Sequence, residues 1–259
     1  MLMKKISIIG SGNVATNLAL SLKENFFCIH QIYSRNIENA KQLANLVNSK
    51  YTSKIAEIEK VDLIIIAVSD DVINQIIENL EGNNVVHTSG SVSLDVFNNK
   101  YTNYGVLYPL QTFNKKNTID NKTTPFLIES NNDKFEKQLV KIASKISNNI
   151  SIFTSEQREN IHLAAVFACN FSNHMYVIAN NILKKSNIDF SILLPLLKQN
   201  IYKIDNNCPS KLQTGPAKRK DFKVIKKQIN QIKDNEIKLI YQLITKSIID
   251  SNEKIETNE

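Results

Sequence analysis

A glycine loop near the start of the chain constrains its fold more than any other stretch. The apolar run Lys5–Ile9 predicts a buried strand; Gly10 and Gly12 follow it, and a helical pattern begins at Asn13. Strand, Gly-x-Gly and helix in this order form a binding site for a dinucleotide pyrophosphate. Gly10 allows a sharp turn, Gly12 lets phosphates approach the backbone, and the helix N-terminus attracts the anion. A glycine turn between an ordinary strand and helix is the alternative, and the strand–helix alternation that follows argues against it.

The end of the second predicted strand bears on the choice of cofactor. This strand covers residues 27–33, and Ser34, Arg35 and Asn36 follow it. An NAD site usually has Asp or Glu here to bind the ribose 2′-hydroxyl, whereas an arginine can hold the 2′-phosphate of NADP. We therefore expect NADP rather than NAD, unless Arg35 is only a solvated turn residue. The predicted cofactor-binding residues are Gly10, Ser11, Gly12, Asn13, Val14, Ser34, Arg35, Asn36, Val68, Ser69 and Ser89.

The alternation of strands and helices predicts an α/β fold followed by a helical domain. The continuous apolar run Leu63–Ile66 is typical of a parallel strand that is covered on both faces. No strand pattern follows Thr154, and helices are predicted at about 155–185, 191–205, 221–233 and 236–250. The sequence thus predicts a Rossmann-type doubly wound domain at residues 1–154 and an all-helical domain at residues 155–259.

Composition excludes several other classes of protein. The 259 residues carry a net charge of +7, but the lysines are spread along helices among acidic residues, so we predict no nucleic-acid partner. Three cysteines without a paired spacing favour reduced thiols and a cytoplasmic location. The apolar run at 63–68 is too short to span a membrane, the N-terminal residues do not form a signal peptide, and the four histidines have no metal-ligand spacing.

A polar stripe on the first helix of the second domain contains candidate catalytic residues. At about 100° per residue, His162, Cys169, Asn170 and Asn173 share one face and His174 lies at its edge. The other positions are nearly all apolar, which predicts a buried helix. The stripe either forms an internal hydrogen-bond network or faces the cofactor. In the second case His162 or His174 acts as general acid or base, and Asn170 orients the substrate.

Two strand ends and one loop complete the predicted substrate site. The segments His87–Ser91 and Tyr108–Phe113 follow strands where a nicotinamide ring would point, although His87 could equally be a half-buried strand residue. The loop Thr214–Asp221 places Arg219 before a helix that Asp221 caps, where a guanidinium could bind an anion. The predicted substrate-binding residues are Ser91, Tyr108, Gln111, Asn173 and Arg219.

Taken together, these motifs resemble a known protein family. The chain is similar to the bacterial Rossmann-like proteins with a C-terminal helical domain of unknown function. The motifs that carry the resemblance are Gly10–Ala15, His87–Ser91, Leu107–Phe113, Ser155–Arg158, His162–His174 and Thr214–Asp221. The resemblance implies an NADP-binding domain and a helical domain similar to that of 6-phosphogluconate dehydrogenase. The wider relatives are pyrroline-5-carboxylate reductase, ketopantoate reductase and prephenate dehydrogenase, in which the helical domain closes the cleft and often forms the dimer.

Two positions depart from those wider relatives. The β-hydroxyacid dehydrogenases have a lysine four residues before the helix asparagine, and this chain has Val166 there, before Asn170. Prephenate dehydrogenases have His-Pro after the sixth strand, and here Tyr108 precedes Pro109. The lysine mechanism therefore cannot be carried over, and the absence of the histidine argues against a prephenate-type reaction.

The sequence supports two hypotheses about function. The first is an NADP-dependent oxidoreductase that transfers hydride between nicotinamide and a carbonyl or imine carbon of a small polar, anionic substrate. The second is a non-catalytic NADP-binding sensor or scaffold. Both include a homodimer formed through the helical domain.

Overall fold

A computed structural model describes residues 3–114 and 121–256. The chain forms two compact units, Met1–Ala168 and Cys169–Glu259. The strands are β1 Lys5–Ile9, β2 Cys28–Tyr33, β3 Lys50–Thr52, β4 Leu63–Ile66, β5 Asn84–His87, β6 Asn103–Pro109, β7 Phe126–Ser130 and β8 Ile150–Ile152. The α-helices are α1 Asn13–Glu24, α2 Ile37–Val47, α3 Asp70–Asn79, α4 Asp133–Ile146, α5 Ser155–Ala165, α6 Ser172–Lys184, α7 Leu194–Asn206, α8 Phe222–Gln231 and α9 Asn235–Glu256. A domain boundary at residues 154/155 stays a prediction.

The strands of the first unit form one sheet of eight described strands, in the order β3-β2-β1-β4-β5-β6-β7-β8. The strands β1 to β6 are parallel, β7 is antiparallel to β6, and β8 is parallel to β7. The chain goes from β1 outward to β3 and then crosses to β4 on the other side of β1. Open α/β sheets bind ligands at such a switch point, at the carboxyl ends of the strands. The predicted fold class is confirmed.

Helices cover both faces of this sheet. Successive residues of a strand point to opposite faces, so Ile8 belongs to a core with residues of α1, α2 and α4, whereas Ile9 belongs to a core with residues of α3. Both side chains are fully buried, and full burial of such a side chain contributes about 1.5–3 kcal/mol. The two cores bury β1 and β4, and the glycine loop follows β1 beside the end of β4.

The second unit contains α6 to α9, and many of its large apolar side chains are exposed.

The helix that we predicted at residues 155–185 is divided into α5 and α6 by a π-helical stretch at Val166–Phe171. Phe167 is 62% exposed and Phe171 is 49% exposed. The prediction that this helix is buried was therefore wrong, because much of its apolar surface is left exposed by the residues that the structure describes.

Two predicted helix caps were wrong and one is confirmed. The sequence predicts Ser155 as the cap of the helix that begins at residue 155, but Thr154 caps α5, and Gln157 completes the capping box. The sequence also predicts Asp70 or Asp71 as the cap of the helix that ends near Leu80, but Ser69 occupies the N-cap position of α3. The side chain of Asp221 caps α8, as predicted, by accepting a hydrogen bond from the backbone N–H of Val224 at 3.2 Å.

Within the described part of the chain, none of the helices combines the length and the hydrophobicity that crossing a bilayer requires.

Candidate functional site

The loop between β1 and α1 fits the pyrophosphate of a dinucleotide. Gly10 has φ +126°, and a Cβ atom there would lie 2.1 Å from the carbonyl oxygen of Ala67, so only glycine is tolerated. A Cβ at Gly12 would have no protein atom within 4 Å. Gly12 is the N-cap of α1, and it has no side chain to occupy the first N–H groups of the helix. The loop therefore combines open space with available N–H donors, which is what a bound phosphate requires.

The predicted ribose-binding residues lie beside this loop. The hydroxyl of Ser11 donates a hydrogen bond to the hydroxyl of Ser34 at 2.9 Å, which ties the glycine loop to the end of β2. Arg35 follows and is exposed. The side-chain oxygen of Asn36 accepts hydrogen bonds from the backbone N–H groups of residues 38 and 39, so it serves as the N-cap of α2. Asn13 is exposed and Val14 is half-buried at the start of α1.

Polar groups at the ends of β4 and β5 are already engaged with one another. Val68 is half-buried and Ser69 is exposed just before α3. The hydroxyl oxygen of Ser89 accepts hydrogen bonds at 3.1 Å from the backbone N–H groups of residues 91 and 92. The hydroxyl of Ser91 donates a short hydrogen bond to the carboxylate of Asp70. This turn places Ser91 and Asp70 at the carboxyl edge of the sheet.

A tyrosine and a histidine meet at the same edge. The phenol oxygen of Tyr108, at the end of β6, lies 2.9 Å from Nδ1 of His162 on α5. Their rings meet edge to face, with centroids 5.8 Å apart. Gly90 lies directly against both rings, since a Cβ there would come within 2.7 Å of Cζ of Tyr108 and within 2.6 Å of Nδ1 of His162. The structure thus joins a predicted catalytic residue to a predicted substrate-binding residue.

A buried arginine anchors the helix that carries this histidine. Arg158 is 1% exposed, and its Nη2 donates to the carbonyl oxygen of Val92 at 2.5 Å and lies 3.3 Å from Oε2 of Glu129. Glu129 also accepts hydrogen bonds from the backbone N–H and the hydroxyl of Ser155. The Ser155 hydroxyl oxygen in turn accepts from the backbone N–H of Leu94 at 2.9 Å. This network joins α5 to β7 and to the loop after β5.

Arg158 was not among the predicted site residues. It lies four residues before His162, and residues at this spacing share one face of a helix. The face that Arg158 fixes to the sheet is therefore the face that presents His162 to Tyr108. The spacing was visible in the sequence, but the acidic partner on β7 was not.

Burial and charge set the protonation of the groups around this face. Burial, with a smaller contribution from the positive charge of Arg158, lowers the pKa of His87 to about 3. Burial and the carboxylate of Asp70 raise the pKa of Tyr108, while Arg158 opposes them. Burial also lowers the pKa of Arg158, and Glu129 opposes that effect. At neutral pH, His87 is thus an uncharged core residue, whereas Tyr108 is a protonated phenol.

The remaining predicted residues are exposed. Gln111 accepts a hydrogen bond from the backbone N–H of Thr112 at 2.9 Å. Asn170, Asn173, His174 and Arg219 belong to the second unit and are exposed there. Their roles stay predictions. Over the residues that the structure describes, no group of three or more His, Cys, Asp or Glu side chains could hold a metal ion.

Comparison with known proteins identifies the family. A family model described as "NADP oxidoreductase coenzyme F420-dependent" matches residues 5–98, and one described as "Domain of unknown function (DUF2520)" matches residues 124–248. No curated protein matches the sequence. A candidate NADP oxidoreductase from Bacteroides fragilis, known from a crystal structure, has a sequence 39% identical to this chain. The two structures align with a TM-score of 0.89 over 96% of this chain and 98% of that one. This chain belongs to the same family of NADP oxidoreductase-like proteins.

Two further solved structures share the family's fold. A Thermotoga maritima protein is 24% identical, with a TM-score of 0.70, over 97% of this chain and 99% of that one. The 1-pyrroline-5-carboxylate reductase of Streptococcus pyogenes is 13% identical, with a TM-score of 0.59, over 96% of this chain and 98% of that one. At these identities the likeness concerns the fold alone. The resemblance inferred from the motifs is confirmed.

Proposed function

We propose that this chain is an NADP-dependent oxidoreductase that acts on a carbonyl or imine carbon of a small polar, anionic substrate. The observation that carries the proposal is the contact between Tyr108 and His162 at the carboxyl edge of the sheet. The strand β6 lies three strands from β1. At about 4.8 Å per strand interval, Tyr108 is about 14 Å from the glycine loop. A dinucleotide bound by its pyrophosphate would extend along this edge toward the two rings.

The end of β2 supports the proposed preference for NADP. No acidic residue follows this strand before α2, and Arg35 is exposed beside the Ser11–Ser34 hydrogen bond. A guanidinium can bind a 2′-phosphate through two parallel hydrogen bonds. We therefore assign Arg35 to the 2′-phosphate, with Ser34 beside it.

The catalytic role of His162 rests on its contact with Tyr108 at the edge of the sheet. NADPH, when bound, would supply the hydride. His162 holds the proton that the substrate oxygen or nitrogen needs, because an imidazole can exchange protons near neutral pH. We assign substrate orientation to Asn170 and binding of the substrate's negative charge to Arg219, with His174 as the other candidate acid.

The exposed apolar side chains of the second unit support a homodimer. Leu239 and Leu243, four residues apart on α9, are 56% and 58% exposed. Tyr202 and Phe222 are 67% and 63% exposed. Exposed apolar surface on this scale favours a protein–protein contact. The free cysteines at residues 28, 169 and 208 support a cytoplasmic location.

Calorimetric titration of NADPH and NADH into the protein and into Arg35→Ala tests the cofactor assignment. We expect tighter binding of NADPH than of NADH, and we expect the variant to lose at least tenfold in affinity for NADPH alone. NADPH oxidation is then followed with 2-oxo acids and cyclic imines. Tight binding without turnover of any compound would favour the non-catalytic sensor, and no binding of either nucleotide would refute both functions.

A further inference from the structure

We propose that Tyr108 and His162 form a proton relay, in which Tyr108 gives the proton to the substrate's carbonyl oxygen and His162 resupplies Tyr108. This inference rests on the proposed oxidoreductase function. It goes further by making Tyr108 the group that contacts the reacting atoms and His162 the store of the proton.

The geometry of the two rings supports this division of labour. Nδ1 of His162 is engaged by the phenol oxygen at 2.9 Å. A phenol oxygen can accept a hydrogen bond while its own proton points elsewhere, so Tyr108 can serve two partners at once. Tyr108 stands at the carboxyl end of β6 and is half-buried. His162 is half-buried as well, but its Nδ1 is occupied by the phenol oxygen, so the hydroxyl of Tyr108 is the group that we place against the substrate.

The proton balance of a reduction is complete with these two side chains. In the charged imidazolium, Nδ1–H donates to the phenol oxygen, and the phenol O–H points to the substrate carbonyl. As hydride reaches the carbonyl carbon, the π bond breaks and the carbonyl oxygen takes the phenol proton. The phenol oxygen takes the proton from Nδ1 at the same time. The substrate leaves as an alcohol, Tyr108 is a neutral phenol again, and His162 is neutral until solvent reprotonates it.

Gly90 is the residue that permits the two rings to meet. Any side chain there would place its Cβ 2.6 Å from Nδ1 of His162 and 2.7 Å from Cζ of Tyr108. Real Cβ atoms do not approach other atoms so closely, so one or both rings would have to shift. Gly90→Ala therefore disturbs the contact between the rings without removing either functional group.

The charges around the pair come from three neighbouring elements. Arg158 lies one turn before His162 on α5, Glu129 on β7 pairs with Arg158, and Asp70 at the start of α3 faces Tyr108 from the third side. Glu159 on α5, three residues before His162, also stabilises the charge of Arg158, so these neighbouring charges comprise three acids and one arginine. A positive imidazolium is thus electrostatically acceptable beside Tyr108, which the first step of the relay requires.

The test compares single-site variants in steady-state NADPH oxidation, with a panel compound that the unmodified protein reduces. Tyr108→Phe is expected to lower kcat about 100-fold or more, within the range for loss of a general acid, while NADPH affinity by calorimetry stays within twofold. Tyr104→Phe is the matched control, because it removes a phenol hydroxyl at the other end of β6, where that hydroxyl donates to Asn99 at 2.5 Å. In this control kcat is expected to stay within twofold. Gly90→Ala is expected to lower kcat in the same direction as Tyr108→Phe.

A second readout separates proton supply from a structural role of the histidine. His162→Ala is expected to lose at least tenfold in kcat and to regain part of it when imidazole is added to the assay. His30→Ala, which removes an imidazole that bonds to Glu59 on the surface, keeps kcat and does not respond to imidazole. Rescue of His162→Ala together with inactive Tyr108→Phe supports the relay.

The outcomes distinguish the relay from the function on which it rests. If Tyr108→Phe keeps kcat within threefold of the unmodified protein, the relay is wrong and the oxidoreductase function stands. The same conclusion follows if imidazole gives no rescue. If the unmodified protein binds NADPH but reduces no panel compound, the oxidoreductase function fails and the relay fails with it.

Discussion

Replacing Glu129 by glutamine should be among the most destabilising single changes in the first unit. The substitution keeps the shape of the side chain and removes the negative charge that compensates Arg158. The side chain of Arg158 is 1% exposed and that of Glu129 is 14% exposed, with Nη2 and Oε2 3.3 Å apart. In addition, Nε and Nη1 of Arg158 are buried without a hydrogen-bond partner among the described residues.

The expected cost follows from these contacts. Removing one partner of a buried ion pair typically costs about 3–5 kcal/mol, because the other charge remains buried. At about 2–4 °C per kcal/mol for a unit of this size, the unfolding midpoint should fall by about 6–20 °C. The Ser155 hydroxyl and backbone N–H, which both donate to Glu129, would also face an amide that accepts through only one oxygen.

Urea denaturation followed by circular dichroism measures this cost. Glu78→Gln is the matched control, because Glu78 is exposed and accepts one hydrogen bond from Asn74 at 3.0 Å, so a change below about 0.5 kcal/mol is expected. Adding Arg158→Met to Glu129→Gln should restore at least half of the lost stability, since the uncompensated charge disappears. A cost below 1 kcal/mol for Glu129→Gln, or no recovery in the double variant, would refute the reasoning.

Three further predictions address the cofactor loop, the buried histidine and the dimer. Gly12→Ala should fold normally but lose at least tenfold in NADPH affinity by calorimetry, since its methyl group enters the phosphate space. Gly10→Ala should not yield a stably folded protein when thermal unfolding is measured. The pKa of His87 is about 3 in the folded protein and 6.5 in the unfolded chain, so the unfolded chain binds a proton first as the pH falls. The contribution of neutral His87 to the free energy of unfolding is therefore fully present above pH 6.5 and is lost as the pH falls toward 3. This slope reaches about 1.4 kcal/mol per pH unit, and His87→Phe should reduce it in urea titrations at several pH values. Sedimentation should show a dimer that Leu239→Glu with Leu243→Glu converts to a monomer, and an unchanged sedimentation coefficient would argue against α9 as the interface.

The features that sequence predicted well depend on local patterns. Apolar runs such as Leu63–Ile66 and the glycine pair identify buried strands and the turn between β1 and α1 without any long-range information. The strand β3, Lys50–Thr52, was missed because it has three residues and two of them are exposed. An edge strand of three residues is too short to show the alternation of apolar and polar residues that predicts a strand.

The features that sequence could not predict depend on register and on partners. Tyr108 and His162 are 54 residues apart, and their contact requires β7 to reverse direction so that α5 can return to the carboxyl edge. The sequence predicts Ser155 as a helix cap, but its hydroxyl donates a hydrogen bond to Glu129. Thr154 is the N-cap residue instead, because Gln157 lies three residues after it and completes a capping box. The apolar composition around Phe167 indicated a covered face, and composition cannot say whether the cover belongs to the same chain.

The return of α5 to the sheet also determines when this site can form during synthesis. Tyr108 and Gly90 leave the ribosome well before His162, and at about 5–20 residues per second the 54 residues that separate the two rings take about 3–11 s to make. The glycine loop, β1 and β4 are complete long before that interval ends. A nascent chain can therefore assemble its phosphate-binding loop first, while the surface of Gly90 and Tyr108 stays open until α5 arrives.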